Sequence, residues 1–268
     1  MKVKLLAIAL LLPFFISAQY DQGGLSMCSY LVFTMDAHSN NLNNGTGFFI
    51  RKENRLFFIT AKHVITRHEG EEVVLPKFSD SLSIVVDRSN LNRFKFWYID
   101  IKQAKATKWI PFIQDDDVFV YEFKKPYPTK DTIYSIESFI DSPAIKEKIN
   151  PGLRILVYGF RFYDLTEYKI GLSSPPSLSY FLGTYSDSSL YFKDYDLFDK
   201  YIYKTFVIKG DIGPGYSGAP VFLKTSSGTK GKFIFYGMHI GTDTLSRSAL
   251  IVKPSVVFQE WNKLLKNK

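Results

Sequence analysis

Near its C-terminal end the chain reads Gly215-Tyr216-Ser217-Gly218-Ala219-Pro220, followed by the apolar run Val221-Phe222-Leu223. A serine on a small-residue turn that enters a strand meets the needs of a nucleophile. Its hydroxyl is unobstructed, and the neighbouring glycines let backbone N–H groups approach a carbonyl. Two upstream segments carry the partner chemistry. Phe57-Phe58-Ile59-Thr60-Ala61-Lys62-His63-Val64 is an apolar strand that ends in a corner bearing a histidine. A neutral imidazole aimed from such a corner accepts a proton from a hydroxyl. In Asp115-Asp116-Asp117-Val118-Phe119-Val120 the third aspartate leads into an apolar strand. Its carboxylate would hold the imidazole in one tautomer and stabilise the imidazolium. Taken singly, each residue has a plainer reading: His63 as a core histidine, Asp117 as part of an acidic turn with Asp115 and Asp116.

The elements that must position these groups are short strands. Candidates are 29–35, 46–50, 55–60, 81–86, 94–101, 117–123, 153–160, 178–184, 201–208, 219–224, 232–240 and 247–252. Turn clusters fall between them, among them Asn40-Asn41, Asn43-Asn44-Gly45, Pro175-Pro176 and Ser226-Ser227-Gly228. The 24 Phe and 17 Tyr favour strands over helices. Many short strands at this spacing read as sandwich or barrel architecture. Two segments break the pattern. Residues 61–66 form a short turn after a strand. Residues 255–266 follow Pro254 and place Val257, Trp261, Leu264 and Leu265 on one helical face.

The first residues, MKVKLLAIALLLPFFISAQ, combine a basic start at Lys2 and Lys4, an apolar core and the small pair Ser17-Ala18. That is the pattern of a secretory signal over 1–18, with the working chain at 19–268. The expected location is therefore secreted or periplasmic, with no membrane attachment after signal removal. Cys28 is the only cysteine, so no intrachain disulfide forms. The formal charge of +8 is spread along the chain, without the aromatic and basic interleaving of a nucleic-acid binder. No metal-ligand cluster or phosphate loop is visible, so no metal or other cofactor is expected. His38 and His68 lie in polar loops.

Together these residues resemble the trypsin-like (chymotrypsin-fold) serine peptidases. The matching pieces are Gly45-Thr46-Gly47-Phe48, Thr60-Ala61-Lys62-His63, Asp117-Val118-Phe119-Val120 and Gly215-Tyr216-Ser217-Gly218-Ala219-Pro220. Asp117 follows His63 by 54 residues, and Ser217 follows Asp117 by 100. The order His, Asp, Ser excludes the serine-first α/β-hydrolases and the aspartate-first subtilisins. The resemblance spans about residues 29–265. It implies an all-β fold of two six-stranded antiparallel β-barrels, at about 29–125 and 150–252, with a C-terminal α-helix at about 255–266. It implies His63, Asp117 and Ser217 as the catalytic triad, and the backbone amides of Gly215 and Ser217 as the oxyanion hole. A monomer acting on protein or peptide substrates is the implied form. The alternative is a catalytically silent domain of the same type that binds protein or peptide.

Two departures from the family pattern matter. Tyr216 stands where digestive members carry the aspartate that pairs with a new N-terminus, so activation by that salt bridge is not expected. Lys62 replaces a more usual alanine. The chain looks closer to the disulfide-free bacterial branch. Tyr236-Gly237-Met238-His239-Ile240-Gly241 resembles the segment that lines the S1 pocket in bacterial glutamyl endopeptidases, with His239 and Gly241 at the substrate side chain. Asp211, six residues before Ser217, instead resembles the basic-selecting aspartate of trypsin. The reading favours an acidic or polar P1 residue and leaves Asp211 as the competing determinant.

Overall fold

The structure, a computed structural model, describes residues 24–35, 41–67, 77–78, 80–87, 95–101, 117–125, 127, 133–140, 153–161, 177–185, 202–210, 213–225, 232–243 and 247–266. The expected leader at 1–18, His38, His68, Asp115, Asp116, Asp211 and the expected turn clusters at Pro175 and Ser226 lie outside the described residues.

The chain is mostly β, with two curled antiparallel sheets and a C-terminal helix, as the two-barrel expectation requires. The first sheet holds β1 (Tyr30–Met35), β2 (Asn41–Lys52), β3 (Arg55–Thr60), β6 (Ser81–Asp87), β7 (Lys95–Asp100) and β8 (Phe119–Phe123). Their order is β7-β6-β1-β2-β3-β8. A separate two-stranded ribbon pairs β4 (Thr66–Arg67) with β5 (Lys77–Phe78). The second sheet is a closed six-stranded barrel, ordered β10-β11-β14-β13-β12-β9. Its strands are β9 (Arg154–Arg161), β10 (Ser177–Tyr185), β11 (Ile202–Gly210), β12 (Pro220–Lys224), β13 (Phe233–Asp243) and β14 (Ser248–Val252).

Side-chain periodicity explains the curl of the first sheet. In β7, Trp97 and Ile99 are buried while Lys95, Tyr98 and Asp100 are exposed, the alternation of a strand with one face on the core. The sheet bends until its two edge strands meet: Trp97 of β7 stacks edge-on against Phe123 of β8, ring centroids 5.0 Å apart. Phe49 fills the centre, in contact with Tyr30, Phe58, Trp97 and Phe123. Tilted and edge-to-face aromatic pairs of this kind add about 0.5–1.5 kcal/mol each beyond burial.

The run Phe57-Phe58-Ile59 is buried throughout because β3 is covered on both faces. Phe58 packs on Phe49 within the sheet, and Phe57 meets Trp261 of the C-terminal helix, Pro254–Lys266, at 5.8 Å. Val257, Trp261 and Leu264 are buried on that helix, with Leu265 partly so. Arg55 fixes the helix end. Its guanidinium makes two 2.6 Å bonds to Glu122 and donates to the carbonyls of Leu264 and Leu265. A cation there complements the negative end of the helix dipole.

One local expectation fails. Asn41 and Asn43-Asn44-Gly45 are strand, not turn, since β2 runs for 12 residues. Side-chain bonds replace propensity here. Asn43 exchanges hydrogen bonds with the Thr34 hydroxyl, and its Nδ2 donates to the His63 carbonyl at 3.5 Å. The core crosses to the barrel from the first sheet, with Phe48 against Phe235, and from the short 3-10 helix Ile136–Phe139, with Phe139 against Phe222. The site described next lies along that junction.

Candidate active site

His63 sits in the four-residue helix Lys62–Ile65, directly after β3. Asp117 lies just ahead of β8, which pairs with β3, so adjacent strand ends deliver both groups to one corner. The Asp117 carboxylate takes two hydrogen bonds from the same residue. Oδ1 accepts from the His63 amide at 2.8 Å, and Oδ2 pairs with His63 Nδ1 at 2.6 Å. The Lys62 amide also donates to the Asp117 carbonyl, at 3.3 Å. The ring is thus oriented through both its side chain and its backbone. Nδ1 carries the proton toward the carboxylate, which leaves Nε2 as the basic nitrogen.

The serine loop comes to this corner from the barrel. The Ser217 carbonyl accepts from the Thr46 amide at 2.8 Å. Gly45 explains how closely the segments approach: a Cβ there would lie 2.8 Å from Val64 Cγ2 and 2.9 Å from the Ser217 carbonyl. Gly218 is tighter still. A Cβ on it would lie 1.9 Å from the Thr46 carbonyl and 2.4 Å from the Thr60 hydroxyl, and its φ of 89° already disfavours other residues. Gly45 and Gly218 therefore let the serine loop seat against β2 and the end of β3.

Within the loop, Gly215 has a φ of 102°. The Ala219 amide donates to the Tyr216 carbonyl, and the Gly218 amide donates to the His239 carbonyl at 2.7 Å. The amides of Gly215 and Ser217 bond to no acceptor among the described residues. Two unspent N–H groups on either side of Tyr216 are what an oxyanion site requires. Tyr216 itself is fully buried in the barrel core. Its ring presses on Gly159, where a Cβ would lie 2.4 Å from Tyr216 Cδ1, and its hydroxyl bonds to Ser179.

His239 is 2 % exposed on β13, edge-on to Phe181 and Tyr216 at 5.6 and 6.0 Å. Burial disfavours its cation and lowers its pKa to about 4; the charge of His63 acts the same way, while the carbonyls of Tyr216 and Gly241 pull in the opposite direction. Its Nε2 lies 3.3 Å from the Thr242 hydroxyl, and Nδ1 is buried without a hydrogen-bond partner among the described residues. His239 is a neutral imidazole at ordinary pH, packed on the residue that precedes the serine. Gly241 is half-buried at a bulge of β13 opposite Ile251 and Leu250.

Of the residues singled out in the sequence, His63, Asp117, Gly215, Ser217 and His239 thus gather around one junction, with Gly241 two residues further along β13. Sequence reasoning did not assign a role to the Thr46 hydroxyl, to Ser179 beneath Tyr216, or to Gly159. The available signal for Thr46 was its place inside a Gly-Thr-Gly triplet. Among the described residues, no three His, Cys, Asp or Glu side chains are grouped to hold a metal ion, and no helix is long and apolar enough to cross a membrane.

No protein-family model matches the sequence, and no curated protein matches it. Solved structures do. A serine endoprotease from Yersinia pestis superposes with a TM-score of 0.50 and 12% identity, covering 90% of this chain and 64% of that one. The present chain therefore spans less than two thirds of that protein. A catalytically inactive tobacco etch virus protease bound to substrate gives a TM-score of 0.48 at 13% identity, over 91% of this chain and 86% of that one. The catalytically active form of that protease, bound to product, gives 0.45 at 15% identity, over 90% and 77%. At these identities the likeness is one of fold, and the fold is chymotrypsin-like.

Proposed function

We propose that this protein is an exported serine endopeptidase that hydrolyses peptide bonds through an acyl-enzyme intermediate. The observation that carries the reading is the Asp117 carboxylate holding both the amide and Nδ1 of His63, at the corner where the Ser217 loop docks. In the reaction, Ser217 Oγ attacks the scissile carbonyl while His63 Nε2 takes its proton. The imidazolium then protonates the leaving amine. Water repeats the sequence on the acyl-enzyme, with His63 again as base. The Gly215 and Ser217 amides stabilise the oxyanion in both steps, each worth about 3–4 kcal/mol in the transition state. The Asp117 carboxylate stabilises the imidazolium. Every group in this scheme is a protein group.

Substrates are proteins or peptides with an acidic or polar P1 residue. The support is His239, a neutral imidazole on β13 whose carbonyl accepts from the Gly218 amide beside the serine. A neutral ring hydrogen-bonds to a carboxylate or amide and offers a basic side chain no counter-charge. Export follows from the leader at 1–18.

A fluorophosphonate probe tests the reading. It should label the wild type and not Ser217→Ala, and that variant should lose peptide hydrolysis while keeping its Tm within a few degrees. A wild type left unlabelled under conditions that label a control protease overturns the proposal. So does a Ser217→Ala variant that unfolds, since the serine would then be structural.

A further inference from the structure

Thr46 is fully buried on β2, and its amide and hydroxyl are bonded across the junction of sheet and barrel while its carbonyl is bonded within the sheet. Its amide donates to the Ser217 carbonyl, and its carbonyl accepts from the Thr60 hydroxyl at 2.7 Å. Any residue could make those two contacts with its backbone. The side chain adds what a backbone cannot. The Thr46 hydroxyl lies 2.7 Å from the Gly215 carbonyl and 3.0 Å from the Phe160 amide. An amide can only donate, so the hydroxyl oxygen accepts from Phe160 and its proton is directed to Gly215.

The Gly215 carbonyl belongs to the peptide between Gly215 and Tyr216. That peptide lies between the two that carry the Gly215 and Ser217 amides. A glycine at a φ of 102°, preceded by Gly213-Pro214, has little intrinsic preference to hold those planes in place. A rotation of the middle peptide would turn one or both N–H groups away from the reacting carbonyl.

We propose that the Thr46 hydroxyl is a positioning group for the peptidase reaction, pinning the middle peptide of the serine loop so that the two flanking amides face the oxyanion. The proposal rests on the peptidase reading above and adds a role for a side chain that meets no substrate. It also links the triad's two halves. Thr60, which ends the strand before His63, donates to Thr46, which in turn holds the loop of Ser217. Misplacing an oxyanion donor is felt in the transition state more than in substrate binding. The loss therefore falls on kcat.

The experiment compares wild type, Thr46→Val and Thr46→Ser in steady-state hydrolysis of a peptide, with fluorophosphonate inactivation rates and Tm measured in parallel. Valine keeps the shape and removes the hydroxyl; serine restores it. Thr46→Val should lower kcat and the inactivation rate about 10- to 100-fold, with KM changed less than about threefold. Thr46→Ser should recover to within about threefold of wild type. Equal kcat in wild type and folded Thr46→Val overturns the proposal, as does a folded Thr46→Ser as impaired as Thr46→Val. Where Thr46→Val is recovered unfolded, Thr46→Ala against Thr46→Ser decides by the same criteria. A wild type that neither hydrolyses peptide nor reacts with the probe overturns the peptidase reading and this proposal with it. A reactive wild type with an equally reactive Thr46→Val overturns the Thr46 role alone.

Discussion

Replacing Asp117 by asparagine isolates the orienting role of the carboxylate from its bulk. The carboxylate serves two donors of one residue, the His63 amide at 2.8 Å and Nδ1 at 2.6 Å. Asparagine offers one acceptor and one donor in the same space. The backbone amide cannot change its role, so the Asn oxygen stays on it. The Asn NH₂ then faces the ring, and Nδ1 must become the acceptor. That forces the proton onto Nε2, the nitrogen that has to receive the serine proton. The ring is held in place but in the wrong tautomer. A change of this type lowers kcat by about 10⁴, or roughly 5.5 kcal/mol of barrier at 1.36 kcal/mol per decade. Folding should change little, because both side chains are partly solvated, at 37 % and 28 % exposure, and the backbone bond survives. The assay is kcat for a peptide substrate at neutral pH, with urea unfolding as the control for structure. A folded Asp117→Asn variant that keeps more than a tenth of wild-type kcat would refute the tautomer argument. Asp117 would then be only the cap of the short helix at His63.

Two further outcomes follow from packing and from burial. Gly218→Ala should cost about 3 kcal/mol or more in urea unfolding and abolish probe labelling, because its Cβ would lie 1.9 Å from the Thr46 carbonyl at a φ of 89°; full stability would show that the loop moves freely. His239 should make stability pH-dependent: with its pKa lowered from 6.5 to about 4 in the fold, the unfolded chain binds the extra proton between those values. Its contribution is present above about pH 6.5 and is lost as pH falls through that window, by roughly 3 kcal/mol in total. Unfolding free energies of wild type and His239→Gln between pH 4 and 7 check this, and parallel curves would refute it.

Strand existence was legible because the apolar runs are short and aromatic. The C-terminal helix was legible because Val257, Trp261 and Leu264 repeat at helical spacing and are buried together. His63 and Asp117 were legible because each stands at a strand end, and β3 pairs with β8. The first half of β2 was not. Asn43, Asn44 and Gly45 read as a turn on composition, yet Asn43 is held by Thr34 and by the His63 carbonyl, and Gly45 is required by the approach of the serine loop. Those are tertiary demands on a local sequence, and local propensity contains no record of them. The role of the Thr46 hydroxyl was hidden for the same reason. Its acceptor, Gly215, is 169 residues away.

Tyr216 shows how a glycine-rich loop is held without a salt bridge. Its ring is fully buried, lies against Gly159 and Phe181, and ends in a hydroxyl bonded to Ser179. Burying an aromatic ring contributes about 1.5–3 kcal/mol, and the phenol keeps its hydrogen bond inside. The residue between the Gly215 and Ser217 amides is thus anchored in the barrel core, while Thr46 holds the carbonyl next to it from the opposite sheet. The loop is thus fastened on both sides, by Tyr216 in the barrel core and by Thr46 on β2. The same packing neutralises His239, since the ring that lies against Tyr216 and Phe181 is the one whose cation burial disfavours. The neutral state of His239 and the set of the serine loop are therefore two consequences of one patch of core.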